Sequence, residues 1–202
     1  RLGILPTLED WVLPETRIHA MDSMGHNWWS VCVSMAGVAA LALIGDDERA
    51  ADWVDRISRG LALWFAYRGQ VLQNKPANFD AAGAFYEGPG NTNYALSEYL
   101  RYRLAYSNVF PDRAQPRFAS LERVTDYFIH SLYPTSSGYF TLNIGDSSLR
   151  QNSAATIRLL VETCFAHPLA GWVVKTAARQ PSREGDPLEF LARKPMPAAP
   201  SP

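Results

Sequence analysis

The chain has 202 residues, of which 47% are hydrophobic and 19% are charged, so it can bury a sizeable core. The 19 basic residues are balanced by 20 acidic ones, and a formal net charge of -1 offers no general surface for nucleic acid or an anionic membrane. The longest apolar run, at residues 31–44, is broken by Ser34 and Gly37 and is too short to predict a membrane span. We therefore expect a globular protein with no nucleic-acid and no membrane partner.

The hydrophobic spacing predicts an all-α chain. Residues 28–43 are almost entirely apolar or small, which predicts a buried helix. Residues 48–68 place large apolar side chains at three- and four-residue spacing, which predicts an amphipathic helix. Only a few residues join these two helices, so we expect an antiparallel hairpin. Further helices are predicted at residues 93–106, 116–133, within 152–178 and at 187–192.

The segments between these helices carry their own signals. Residues 69–90 are rich in Gln, Asn, Pro and Gly and predict a long loop, which in a compact domain is often functional. Residues 136–146 alternate between apolar and polar side chains and have a glycine near each end, which predicts a short extended segment. No signal peptide is visible, and the proline-rich residues 193–202 are typical of a linker. We expect one helical domain over residues 1–192, in a piece of a larger protein.

The first candidate motif is "MGHNWW" at residues 24–29, directly before the first predicted helix. Asn27 is a suitable N-cap, because its side chain can bind free backbone N–H groups. The motif is also suited to a sugar site, because it places an imidazole, an amide and two indoles at the start of a helix. There His26 would be a polar group, and Trp28 would form an aromatic platform for a sugar ring. Both interpretations are open.

The second motif is "FYEGPGNTNYAL" at residues 85–96. The glycines on either side of Pro89 predict a tight turn that allows a ligand to approach the backbone. Such a turn presents Glu87, Asn91 and Tyr94 at one corner. A purely structural turn, in which Glu87 binds local N–H groups, is the alternative.

The third motif is "NIGDSS" at residues 143–148, where Asp146 or Ser147 is expected to cap the helix that follows. The four histidines have no ligand spacing, and phosphate-loop and zinc-helix signatures are missing. We therefore predict no metal and no cofactor.

Taken together and in this order, "NWWSVCVSMAGVAALALIGDD", "FYEGPGNTNYALSEYL" and "LNIGDSS" resemble the heparinase II/III-like polysaccharide lyases. The resemblance covers roughly residues 25–202. It implies part of an incomplete (α/α) toroid, its C-terminal half, with a β-sandwich domain that is absent from this chain. It also implies β-elimination on an acidic polysaccharide that contains uronic acid, and a periplasmic or secreted location.

The resemblance further implies roles for individual residues. To remove the C5 proton of a uronic acid, a lyase must neutralise the neighbouring carboxylate, and Asn27 and His26 match that role. A tyrosine then transfers the proton as base and acid. The family usually has this tyrosine directly after Glu-Gly-Pro-Gly, where this chain has Asn91, so Tyr94, three residues further on, is the expected catalytic tyrosine, with Tyr86 as the alternative. Trp28, Tyr86, Glu87 and Asn91 are expected to bind substrate.

Two other functions are open from the sequence. One is a toroid glycoside hydrolase that uses paired carboxylates from Asp80, Glu87 or Asp146. The other is a non-catalytic carbohydrate-binding or structural helical module, which Asn91 at the expected tyrosine position favours. Only elimination creates a double bond, so an unsaturated product separates a lyase from both.

Overall fold

The computed structural model describes residues 25–71, 75–136, 138–147, 153–177 and 197. This part of the chain is mostly helical, as predicted. Its helices are α1 (Asn27–Ala42), α2 (Ala50–Ala66), α3 (Pro89–Val109), α4 (Ala119–His130), α5 (Ala154–Thr163) and α6 (Ala170–Ala177). The predicted helix at residues 187–192 and, apart from Pro197, the predicted linker at 193–202 lie outside the described residues.

Two small antiparallel hairpins interrupt the helices. Strands β1 (Arg68–Val71) and β2 (Lys75–Ala77) pair with each other, within what the sequence indicated was a long loop. Strands β3 (Leu132–Thr135) and β4 (Gly138–Thr141) form the second hairpin. The extended segment predicted at residues 136–146 is therefore partly confirmed as β4. The helix predicted to run to residue 133 ends at His130, since the chain continues into β3.

The helices pack in an order that differs from their order in the chain. Helix α1 contacts both α2 and α3, while α3 also contacts α5, which in turn contacts α6. The predicted core side chains of α2, such as Ile57 and Trp64, are fully buried, and so are Leu96 and Leu100 of α3. Helix packing therefore places α1 and α3 side by side.

Helix α1 is less completely buried than its apolar sequence predicted. Val33 and Ala40 are fully buried, but Trp28, Met35 and Val38 form an exposed apolar stripe. Among the described residues the predicted burial of this helix is therefore confirmed on one side only.

An aromatic cluster anchors the segment that leads to the second motif. The Trp64 ring lies 5.1 Å from that of Phe79 and 5.4 Å from that of Phe85, measured between centroids. Phe79 and Phe85 also form an isolated β-bridge, and the Asn78 side-chain amide donates to the Trp64 carbonyl at 2.9 Å. The loop from residue 78 to 85 is therefore fixed at both ends, and Tyr86 and Glu87 follow directly from it.

None of the helices in the described ranges is long and apolar enough to cross a bilayer.

Candidate functional site

The three sequence motifs meet in space. Helix α3 begins at Pro89, and the N–H group of Gly90 in its first turn donates to the Ser147 hydroxyl at 2.7 Å. Gly88 has φ = +92°, and a Cβ added there would lie 2.7 Å from the carbonyl oxygen of Ile144. The turn thus needs glycine both for its backbone conformation and for the close approach of residues 144–147.

Glu87 connects this turn to the start of helix α1. Its Oε1 accepts a hydrogen bond from the backbone N–H of Asn27 at 3.0 Å, and its Oε2 accepts one from Asn27 Nδ2. The first N–H groups of a helix have no partner within the helix, and a negative charge at this end is favourable. Glu87 therefore caps α1 from a position 60 residues further along the chain.

Asn27 is not an N-cap. The cap position is occupied by His26, which makes no side-chain capping bond, and Asn27 is the first helical residue. Only 5% of Asn27 is exposed. Its amide carries two hydrogens on Nδ2, and Glu87 accepts one of them, while the buried Asn27 Oδ1 has no hydrogen-bond partner among the described residues.

Tyr86 belongs to the same hydrogen-bond network as Asn27 and Glu87. Its hydroxyl donates to the Gly25 carbonyl and lies 3.2 Å from Glu87 Oε1. Burial raises the pKa of Tyr86 well above its usual value of 10, and the negative charge of Glu87 raises it further. A hydroxyl that is both bonded and harder to ionise is poorly suited to act as a base.

His26 lies beside the carboxylate and reaches solvent. Its Nδ1 is 3.8 Å from Glu87 Oε1, and nearly half of its side chain is exposed, whereas most of the Glu87 side chain is buried. His26 is thus the polar group of the first motif that faces outward.

Two exposed aromatic side chains lie on the helices that start at this hydrogen-bond network, α1 and α3. Trp28 is 64% exposed and Tyr94 is 40% exposed, and their rings meet edge to face with centroids 6.3 Å apart. Helix α1 carries Trp28, while Tyr94 lies on the second turn of α3, so the pair spans the two helices. Asn91, in the first turn of α3, is half-buried. The predicted site residues are therefore brought together, with Asn27 inside and Trp28, Tyr94 and His26 outside.

The third motif contributes through Ser147. The expected cap on the following helix is wrong for Ser147, because its hydroxyl binds the start of α3, 57 residues earlier. Helix α5 instead begins after Ser153. Asp146 is exposed, and Asp80 accepts hydrogen bonds from the N–H groups of Ala82 and Ala84, so Asp80 has a structural role in its own loop.

Sequence analysis missed two parts of this site. It did not identify Ser147 as a partner of the glycine turn, nor the Gly25 carbonyl as the acceptor for Tyr86. No local pattern reports these contacts, since both join residues far apart in the chain.

Comparison with protein-family models, with curated proteins and with solved structures finds no match. In the ranges that the structure describes, no group of three or more His, Cys, Asp or Glu side chains could hold a metal ion.

Proposed function

We propose that this protein is a polysaccharide lyase that acts by β-elimination on an acidic, uronic-acid-containing polysaccharide. The observation that carries the proposal is the bond between Glu87 and Asn27. It joins the Asn-Trp motif to the Glu-Gly-Pro-Gly motif, which the resemblance to heparinase II/III-like lyases assigns to one active site. The exposed pair of Trp28 and Tyr94 comes from the same two helices, with Trp28 adjacent to Asn27 in the chain, and offers an aromatic surface to a sugar ring.

In this proposal His26 and Asn27 neutralise the carboxylate of the uronic acid. The imidazole of His26 is exposed and would bind the uronate carboxylate directly, while Asn27 would act through the side-chain amide that Glu87 holds in place. Withdrawal of charge from the carboxylate makes the C5 proton easier to remove. Trp28, Tyr86, Glu87 and Asn91 form the substrate-binding group.

Tyr94 is the proposed proton-transfer residue. It takes the C5 proton, the C4–C5 double bond forms as the C4–O bond breaks, and the same proton is then delivered to the leaving oxygen. No water is consumed. The exposure of Tyr94 favours it over Tyr86, whose hydroxyl is bonded to Gly25 and whose pKa is raised.

The finer architecture belongs to the same proposal. The order in which the described helices pack is compatible with part of an incomplete (α/α) toroid over residues 1–192, followed by a linker toward a β-sandwich domain. An acidic polysaccharide or oligosaccharide is the proposed substrate, and a periplasmic or secreted location is proposed from the resemblance alone.

A second candidate function is carbohydrate binding without cleavage. It is favoured by Asn91 in the place of the expected tyrosine, together with the very low exposure of Asn27. In that case Trp28 and Tyr94 would still bind a sugar, but no unsaturated product would form.

The test is incubation of the chain with a panel of uronate polymers, among them heparan sulfate, alginate and hyaluronan, while the ultraviolet absorbance of the unsaturated product is followed. Tyr94→Phe removes the hydroxyl and keeps the ring. Tyr139→Phe is the matched control, because Tyr139 on β4 is 39% exposed and lies outside the proposed site. We expect product from the unchanged chain and from Tyr139→Phe, and loss of about two or more orders of magnitude in rate with Tyr94→Phe.

Binding is measured in parallel through tryptophan fluorescence, since Trp28 is exposed. Binding without product on every polymer would support the second candidate and refute the lyase. Neither binding nor product, from a folded chain, would refute both.

A further inference from the structure

Part of the exposed stripe on helix α1 lies on the side that faces away from α2 and α3. Met35 is 58% exposed, Val38 is 39% exposed, and Ala42 is exposed as well; we call these three residues the Met35 face. A Cβ added to Gly37 would contact side chains of both α2 and α3, so Gly37 marks the packed side of the helix. Each residue turns an α-helix by about 100°, which places Met35 and Ala42 on the side opposite to Gly37.

The sequence of α1 is unsuited to a solvated face. None of the 16 residues of this helix is charged. A helix that borders water normally carries charged and polar side chains on that side, whereas a helix that is apolar all round is normally buried all round. Helices α2 and α3 bury only one side of α1, so the Met35 face is suited to contact with further apolar chain.

The residues that precede α1 supply such a segment. Residues 1–24 lie outside the described residues and lead directly into this helix. The more apolar part is residues 1–13, in which seven side chains are large and apolar: Leu2, Ile4, Leu5, Leu8, Trp11, Val12 and Leu13. Burial of these side chains against an apolar face removes both surfaces from water, which is favourable.

We propose that residues 1–13 of this chain cover the Met35 face of helix α1. Val38 lies 13 residues beyond Gly25, a distance of about 20 Å along the helix. The 11 residues at 14–24 can span about 36 Å when extended, so the connection is long enough to bring residues 1–13 to this face.

The spacing of the apolar residues also matches. Leu8 is followed by Trp11 and Val12 at three and four residues, and Met35 is followed by Val38 and Ala42 at three and then four. Apolar residues at such spacing share one face of a helix. Trp28 takes no part in the proposed contact, which therefore does not depend on the proposed lyase activity.

The test is a double-variant comparison in thermal unfolding of the whole chain. Trp11→Ser and Met35→Ser each remove one side of the proposed contact. Leu63→Ser is the matched control, because Leu63 is also a large apolar side chain on a helix and is 49% exposed on α2. We expect Met35→Ser to lower the melting temperature by about 4 °C or more, and Leu63→Ser by about 2 °C or less.

The combined variants separate a direct contact from two independent losses. Trp11→Ser with Met35→Ser should lower the melting temperature by clearly less than the sum of the single changes, since the contact is lost only once. Trp11→Ser with Leu63→Ser should give the sum. Each variant is also measured at about a hundredfold higher protein concentration, and no dependence on concentration is expected, because the segment belongs to the same chain.

Three outcomes would overturn the proposal. A Met35→Ser variant as stable as the unchanged chain would show that the Met35 face is exposed to solvent. Additive losses for Trp11 and Met35 would show that residues 1–13 pack elsewhere. A loss with Met35→Ser that appears only at the higher concentration would show that a second copy of the chain covers this face.

Discussion

Glu87→Gln tests whether the remote carboxylate stabilises the start of helix α1. Glutamine has nearly the same shape but no charge, and its NH2 group cannot accept, so at most one of the two bonds from Asn27 survives, as a neutral hydrogen bond. A charged acceptor is worth roughly 0.5–1.5 kcal/mol more per bond than a neutral one, and removing charge at a helix N-terminus costs about 0.3–1 kcal/mol more. One bond is also lost outright, and solvent screens little of the effect because most of the Glu87 side chain is buried, so we expect a loss of at least about 2 kcal/mol.

Urea unfolding followed by circular dichroism measures this loss, and in thermal unfolding the melting temperature should fall by at least about 4–8 °C. Glu122→Gln is the matched control: Glu122 also lies in the first turn of a helix, α4, but its side chain is 43% exposed and pairs with Arg117 at 3.0 Å. That substitution should cost less than about 1 kcal/mol. Equal losses of stability for the two variants would refute the idea that the buried Glu87 carboxylate stabilises the start of α1 more than an exposed carboxylate stabilises the start of α4.

Three further predictions follow from close contacts and from titration. Gly37→Ala should lower stability by about 1–2 kcal/mol, because the added Cβ would lie 2.6 Å from the buried Tyr102 ring; unchanged stability would show that the helices separate easily. Ser147→Ala should lower the free energy of unfolding in urea by about 0.5–2 kcal/mol, because the bond from Gly90 is lost. An unchanged free energy would show that water replaces the hydroxyl. Because the pKa of Tyr86 is raised on folding, the unfolded chain loses its proton first, and stability should fall as pH rises above about 10. Tyr86→Phe should make that fall less steep, and an identical pH profile would contradict the contribution of Tyr86.

The sequence predicted the helical framework because that framework is encoded by local periodicity. Apolar side chains at three- and four-residue spacing identified the buried faces of α2 and α3, and these are confirmed. The start of α3 was placed four residues too late, at residue 93, because the polar residues after Pro89 masked a proline in the first turn. Local spacing also did not predict the exposed face of α1, since exposure depends on which other parts of the fold pack against the helix.

The site was only partly predictable, for a different reason. The residue types and their clustering in three motifs were visible in the sequence, and the structure brings those motifs together. Which atoms bind each other was not visible, because the partners are distant in the chain. Glu87, for example, was expected to bind substrate or local N–H groups, and its bond to Asn27 depends on the packing of α1 against α3.

The remote caps on α1 and α3 have a consequence for how the chain is made. During synthesis α1 emerges first, but the carboxylate that completes its first turn is added 60 residues later, and the hydroxyl that completes the first turn of α3 is added 57 residues after Gly90. Isolated helices of this length are marginal in water. Nascent chains that stop before residue 87 should therefore carry a frayed α1, which becomes resistant to protease only when synthesis has passed residue 147.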